Sequence, residues 1–215
     1  MARRKRSYDA SSRKQRAAES QERMLDAARR LFATRGFAET RLEDIAREAD
    51  VSVPTVYAAF QSKRGLLDVL MRRLVAGVKG APPLVETEGP RAVSAEPDAR
   101  RALTMFVEHL LGVHDRVGPM YEVMKHAARA APDIAELAAT LQDYRYSNLR
   151  TLAERFAELG ALRAGLSVED ASRTLWVITS LEVRQLLLAA GWTVDRYRTW
   201  LEDTLAAALL KKVSR

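Results

Sequence analysis

Apolar positions recur at spacings of three and four along almost the whole chain, and no strict alternation competes with them, so the pattern predicts an all-α protein. A first stripe runs through Leu25, Ala28, Leu31 and Phe32 and is interrupted at Gly36-Phe37. Leu42, Ile45, Ala46 and Ala49 mark a short second helix ending at about Ala49, and Val51, Val56 and Phe60 anchor a third of about eight residues. Leu66, Leu67, Val69, Leu70 and Leu74 predict a fourth helix to about Lys79, ended by Gly80. Residues 80–97 hold Gly80, Pro82, Pro83, Gly89, Pro90 and Pro97 without periodicity and read as a loop. Helices are then expected over 98–115, 119–130, 132–159, 167–190 and 194–213, opened by Pro119, Pro132, Ser167 and Thr193 at or beside their caps.

The second and third helices carry the most specific local chemistry. Thr40 followed three residues later by Glu43 reads as a capping box for the second. Asp50 stands where the chain must turn through a left-handed conformation, which Asp tolerates better than most non-glycine residues. Ser52 caps the third helix, with Pro54 in its first turn. With its apolar residues turned inward, that helix leaves Ser52, Pro54, Thr55, Tyr57 and Ala58 facing outward or partly outward. Small and hydroxylated side chains suit a surface pressed against phosphates and base edges, so this helix is expected to enter a DNA groove.

Residues 21–67 closely resemble the amino-terminal domain of the TetR (tetracycline-repressor) family of bacterial transcription regulators. The likeness rests on Leu25, Ala28, Leu31, Phe32, Gly36-Phe37, Thr40, Ile45-Ala46, Ala49, Val51-Ser52, Tyr57, Phe60, Ser62-Lys63 and Leu66, in that order and at those spacings. Two positions depart from the family pattern: Asp50 stands where Gly is usual, and Ala59 where His or another large residue is common, so Ala59 cannot supply the phosphate contact that position often makes.

The resemblance implies a three-helix helix-turn-helix domain followed by a larger helical domain for ligand binding and dimerisation. The expected division is a flexible basic arm at 1–19, a DNA-binding domain at 20–67 and an effector and dimerisation domain at 68–215. Base reading falls to Ser52, Val53, Pro54, Thr55 and Arg41, and phosphate binding to Thr40, Tyr57 and Lys63. The last two helices are unusually apolar, with Leu175, Ile178, Leu181, Leu186 and Leu187 on one and Tyr197, Trp200, Leu201, Leu205 and Leu209 on the other. Such a pair has two faces to bury, and a four-helix bundle across a two-fold axis would bury both. A small-molecule cavity among the carboxy-terminal helices is expected, lined by Met105, Phe106, His109, Met120, Tyr121, Met124, Tyr144 and Trp176; Met and aromatic side chains suit adaptable apolar pockets, and ordinary core equally. The function implied is a homodimeric repressor released from a palindromic operator by an apolar or aromatic effector. Its alternatives are an architectural DNA binder without effector, or a helical enzyme, which would need an acid and base pair that the sequence does not reveal.

Composition changes this picture only at the edges. The 215 residues, 47% of them hydrophobic, are enough for a small and a larger core. Residues 1–79 hold 18 Lys and Arg against 10 Asp and Glu, a net +8, while the remainder carries 17 against 18, a net −1. All the excess positive charge therefore lies on the DNA-binding end, where it accelerates encounter with a polyanion and adds sequence-independent affinity. Arg3, Arg4, Lys5, Arg6, Arg13, Lys14 and Arg16 read as an arm that orders on DNA. With neither an 18-residue apolar run nor the apolar core of a secretory signal, no membrane partner is expected and a cytoplasmic location is. Cysteine is absent, excluding disulfides and thiol chemistry. His109 and His114 are five residues apart, about 140° around a helix, so they do not form an i, i+4 metal pair, and neither metal nor cofactor is expected. Glu182 and Arg184 interrupt an apolar helix and are expected at its exposed edge.

Overall fold

The computed structural model describes residues 4–77 and 87–212, with backbone alone for residues 4–12 and 14. In chain order the helices are α1 (Arg4–Glu39), α2 (Leu42–Glu48), α3 (Val53–Phe60), α4 (Lys63–Ala76), α5 (Glu88–Ala95), α6 (Ala99–Ala127), α7 (Pro132–Glu158), α8 (Val168–Ile178), α9 (Leu181–Ala189) and α10 (Val194–Leu209). The chain forms two compact units, residues 1–81 with 119–138 and residues 82–118 with 139–215. Two of the three boundaries fall inside helices, at 118/119 in α6 and at 138/139 in α7.

In the first unit, α1 buries Met24, Leu25, Ala27, Ala28, Leu31 and Phe32, the stripe that the spacing predicts. Its backbone is helical from Arg4, where the sequence reading expects an arm; Arg3 lies outside the described residues. Helical geometry breaks at Gly36 (φ 80°, ψ 168°), a combination that only glycine adopts readily, and one further turn carries Phe37 to a ring separation of 5.3 Å from Phe32. Leu42, Ile45, Ala46 and Ala49 are all buried, as their periodicity requires. The start of α2 differs from the expectation: its N-cap is Arg41, and the carboxylate reaching back belongs to Asp44, whose Oδ2 accepts the Arg41 N–H at 3.4 Å. The reason is that Thr40 is fully buried and its hydroxyl donates to the Gly36 carbonyl at 2.8 Å, leaving no Thr40–Glu43 box.

Polar contacts fasten these helices together. Arg73 on α4, largely buried, pairs with Glu22 at 2.6 Å and Asp26 at 2.9 Å on α1. Arg23 Nε donates to the Ala49 carbonyl at 3.2 Å, and Arg64 Nε to that of Asp133 in the first turn of α7 at 3.0 Å. α4 ends at Ala76 with Gly77 in the left-handed conformation, earlier than the expected Lys79; Gly80 lies outside the described residues.

The second unit centres on Leu103, Val107, Leu149, Phe156, Leu175, Tyr197, Leu201 and Leu205 from α6, α7, α8 and α10. Part of the expected loop at 80–97 is helix: α5 starts at Glu88, so Pro90 falls in its first turn, where the missing N–H has no intrahelical partner to lose. α6 runs through Pro119 instead of restarting there, with Val117 and Met120 buried on either side of it. The single helix expected over 167–190 is two. Thr179 closes α8 and Ser180 caps α9, its hydroxyl accepting the Val183 N–H at 3.3 Å. Arg184 is not at an exposed edge: its side chain is 13% exposed and its guanidinium donates to Asp115 at 2.6 Å. An isolated antiparallel bridge joins Leu162 to Leu210 through Arg163 N–H to Leu209 O and Lys211 N–H to Ala161 O, both 2.9 Å. α9 buries none of its residues fully, and Trp176, Val177 and Leu186 are exposed, Leu186 at 71%.

Candidate nucleic-acid interface

The turn between α2 and α3 is built as its residues dictate. Asp50 takes φ 52°, and the Val51 N–H reaches the Ala46 carbonyl at 3.0 Å, closing α2 by a left-handed residue. Ser52 is extended (φ −77°, ψ 150°) and its Oγ accepts the Thr55 N–H at 3.3 Å, so α3 begins capped, with Pro54 in its first turn. The Ser52 and Thr55 hydroxyls are also 2.7 Å apart, which holds both side chains in one orientation on the surface.

Val56 and Phe60 are buried, and they fix which face of α3 turns outward. That face carries Ser52, Pro54, Thr55, Tyr57 and Ala58, all exposed, while Val53 is half-buried. Tyr57, at 49%, is an exposed aromatic ring with a phenol at its tip. Among the expected contact residues, Arg41, Ser52, Pro54, Thr55 and Tyr57 are thus accessible, and Val53 partly so.

Two expected phosphate contacts are used for something else. Thr40 is buried, with its hydroxyl bonded to Gly36, and has no surface to offer. Lys63 directs its ammonium at three carbonyls, Phe37 at 2.7 Å, Thr40 at 2.9 Å and Ala38 at 3.2 Å, and lies 4.4 Å from the centre of the Phe37 ring. Partial burial lowers its pKa, opposed by the charges of Glu39 and Asp133. Lys63 therefore closes the open carbonyls after the Gly36 break, and its positive charge is already satisfied within the fold.

The passage from α3 to α4 holds a residue that the sequence reading missed. Gln61 has φ 64°, unusual for a residue with a side chain, and its N–H bonds to Tyr57 O at 2.8 Å. Ser62 then caps α4, accepting the Gly65 N–H at 3.0 Å. A side chain at Gly65 would place its Cβ 2.2 Å from the Phe60 carbonyl, so the close approach of α3 to α4 depends on that glycine. The start of α2, the outer face of α3 and the start of α4 border a shallow depression of about 290 Å³ lined by Arg41, Leu42, Glu43, Tyr57, Ser62 and Lys63.

The residues expected to line an effector cavity are not gathered in one unit. Met120 and Met124, both buried, and half-buried Tyr121 belong to the first unit; Met105, Phe106, His109, Tyr144 and Trp176 belong to the second. Met105 and Phe106 pack against the second unit's core. His109 is half-buried against Gly89 of α5, where a Cβ would come within 2.4 Å of its Nδ1, and burial lowers its pKa with help from Arg116. Trp176 is an exposed ring, not an interior one, with the Arg145 guanidinium 5.9 Å from it. Among the described residues no group of three or more His, Asp or Glu could hold a metal ion, and no helix is long and apolar enough to cross a membrane.

Comparison with known proteins agrees with this geometry. Residues 24–70 match the family model for bacterial regulatory proteins of the tetR family. No curated protein sequence matches the chain. Among solved structures, NalD, the secondary repressor of the MexAB-OprM multidrug efflux pump in Pseudomonas aeruginosa, is 22% identical with a TM-score of 0.66, covering 90% of this chain and 98% of its own. A protein from Saccharomonospora viridis solved in complex with choline is 24% identical with a TM-score of 0.67, over 90% of this chain and 99% of its own. SmeT in its triclosan complex is 21% identical with a TM-score of 0.66, over 89% and 92%. These likenesses establish the fold along nearly the whole chain, and the family match covers α2, α3 and their supports. Residues 24–70 therefore carry the domain of the tetR family of bacterial regulatory proteins, within a chain whose fold matches these solved structures along nearly its whole length.

Proposed function

We propose that the protein acts as a homodimeric repressor that binds a palindromic operator and is released from it by a small-molecule effector. The observation that carries the DNA half of this reading is the outer face of α3, where a capped, hydroxyl-paired Ser52 and Thr55 stand beside exposed Pro54 and Tyr57. Ser52, Thr55 and Arg41 would read base edges, with Val53 and Pro54 against thymine methyl groups. Tyr57 and the start of α4 would hold phosphates, using a hydroxyl and helix N–H groups.

One short helix reads too few base pairs to select a site, so two copies are needed. The exposed apolar side chains Trp176, Val177 and Leu186 on α8 and α9 supply a face that a second copy would cover. α10, expected to share that role, buries Tyr197, Leu201, Leu205, Ala206 and Leu209 on its inward face and leaves Thr199, Asp203 and Ala207 exposed. The effector half of the reading is supported by the second unit, residues 82–118 with 139–215, which has a core of its own, and by structural neighbours solved with choline and with triclosan. Effector binding would shift the population toward a dimer whose two α3 helices no longer match successive major grooves.

Selection of bound duplexes from random DNA, followed by salt titration of the best binder, tests this. The expected product is an inverted repeat with half-sites about 34 Å apart and a steep loss of affinity with salt. Binding without any consensus would replace the repressor with an architectural DNA binder.

A further inference from the structure

We propose that the second unit holds a buried site for an organic carboxylate that also carries a hydroxyl or N–H donor, formed by His114, Arg184 and Tyr197 beside Arg145 at the break between α8 and α9. The proposal rests on the reading of the chain as an effector-released regulator and names the chemical class of the effector.

Thr179, fully buried at that break, organises the site. Its carbonyl lies 3.1 Å from His114 Nε2 of α6, and its hydroxyl accepts Arg145 Nη2 of α7 at 2.8 Å while donating to Leu175 O at 2.7 Å. Arg145 Nη2 also donates to the Trp176 carbonyl at 2.7 Å. A carbonyl can only accept, so His114 Nε2 carries the proton. Burial, with Arg184 and Arg145 nearby, depresses the ring's pKa to about 3, so the imidazole is neutral and Nδ1 presents a lone pair.

That lone pair is buried and meets no partner in the protein. The same holds for Arg184 Nε, whose Nη2 is bonded to Asp115, and for the hydroxyl of Tyr197, a residue with no exposed surface. Buried polar groups are nearly always hydrogen-bonded, so a cluster of three that are not calls for a guest. Arg184 Nε–H and Tyr197 O–H are donors and match two acceptor oxygens; His114 Nδ1 is an acceptor and matches a hydroxyl or N–H. Charge selects among such guests. Arg184 and Arg145 both act electrostatically on His114 and on Tyr197, whose own pKa burial raises to about 12, and the carboxylate paired with Arg184, Asp115, is 63% exposed and so partly screened by water. A carboxylate placed there satisfies both donors, and its charge is matched by the Arg184 guanidinium. This class differs from the apolar effector that the Met and aromatic residues of α6 suggest in the sequence.

The test uses the full-length protein with three matched ligand series: 2-hydroxy acids such as mandelate, acids lacking the hydroxyl such as phenylacetate, and neutral amides such as mandelamide. Calorimetric affinity and release of bound operator are read for the wild type, Tyr197→Phe and Arg184→Gln. Hydroxy acids should bind about tenfold tighter than either matched series, the worth of one charge-assisted or buried hydrogen bond. Tyr197→Phe should bind about tenfold more weakly, yet unfold at the same or higher temperature without ligand, because it discards an unmatched buried hydroxyl. Arg184→Gln should abolish the preference for acid over amide. Equal binding of acids and amides, indifferent to both substitutions, would overturn the anion site while leaving an effector-released regulator. Binding by none of the three series, with operator binding intact, would overturn the effector reading too.

Discussion

An ammonium group has three protons, and at Lys63 they serve the carbonyls of Phe37, Ala38 and Thr40. Lys63→Ala should therefore lower stability by about 1.5–3 kcal/mol in urea unfolding, since it strips a charged donor from three acceptors. The salt slope of DNA binding should stay unchanged, because no phosphate contact is lost. A slope smaller by about one with unaltered stability would return Lys63 to the phosphate contacts. Neighbours in sequence could not reveal this role: two of the carbonyls lie 23 and 26 positions earlier, and only the Gly36 break brings them to the lysine. His114 is a second residue whose surroundings decide its chemistry. Its ring takes a proton near pH 6.5 when unfolded but only at about 3 when folded, so between those values the unfolded chain binds more protons. Stability should be full above about pH 6.5 and fall below it, by up to about 1.4 kcal/mol per pH unit from this residue, and His114→Asn should flatten that slope in unfolding curves across the range.

Among the elements, α3 is the one that its own residues specify most completely. Its cap at Ser52, the left-handed Asp50 before it and its buried Val56 and Phe60 are all found where local chemistry puts them. Ser52→Ala should cost about 1 kcal/mol of stability through loss of the cap, and weaken operator binding further by releasing the Thr55 hydroxyl. Stability unchanged in thermal unfolding would mean that Pro54 and the flanking packing fix the start of the helix without the cap. Elements were illegible where distant groups decided them. The division of α8 from α9 has no glycine or proline to announce it; it follows from Thr179 meeting Arg145 and His114 from other helices. At Pro119 the rule for a helix start pointed the wrong way, because buried Val117 and Met120 keep α6 continuous through it. α5 was hidden by Gly89 and Pro90, residues that signal a loop yet are tolerated in a first helical turn. Thr40 had two competing partners, and the Gly36 carbonyl won over the start of α2.

At the scale of the molecule, the large apolar side chains exposed outside the DNA-binding face are, among the described residues, Trp176, Val177, Leu186 and Val194. Leu186, 71% exposed, is the residue whose replacement tests the dimer with least damage to a core. Leu186→Glu should convert dimer to monomer in sedimentation and reduce operator affinity at least about tenfold, while leaving helical content intact, since it buries a charge only in the pair. Dimer retained at the same concentration would move the interface elsewhere. The charge imbalance between residues 1–79 and the rest was fully legible, being a sum over residues that needs no fold; the way the chain is apportioned was not. The first unit takes residues 1–81 and then, after an interruption, residues 119–138. A ribosome making this protein therefore releases the groove-reading helix early but supplies the last part of its supporting unit, including Ile134 and Leu137, only after the first segment of the second unit has been made. A nascent chain halted near residue 81 carries every expected DNA contact on an unfinished scaffold, which residues 119–138 have yet to complete.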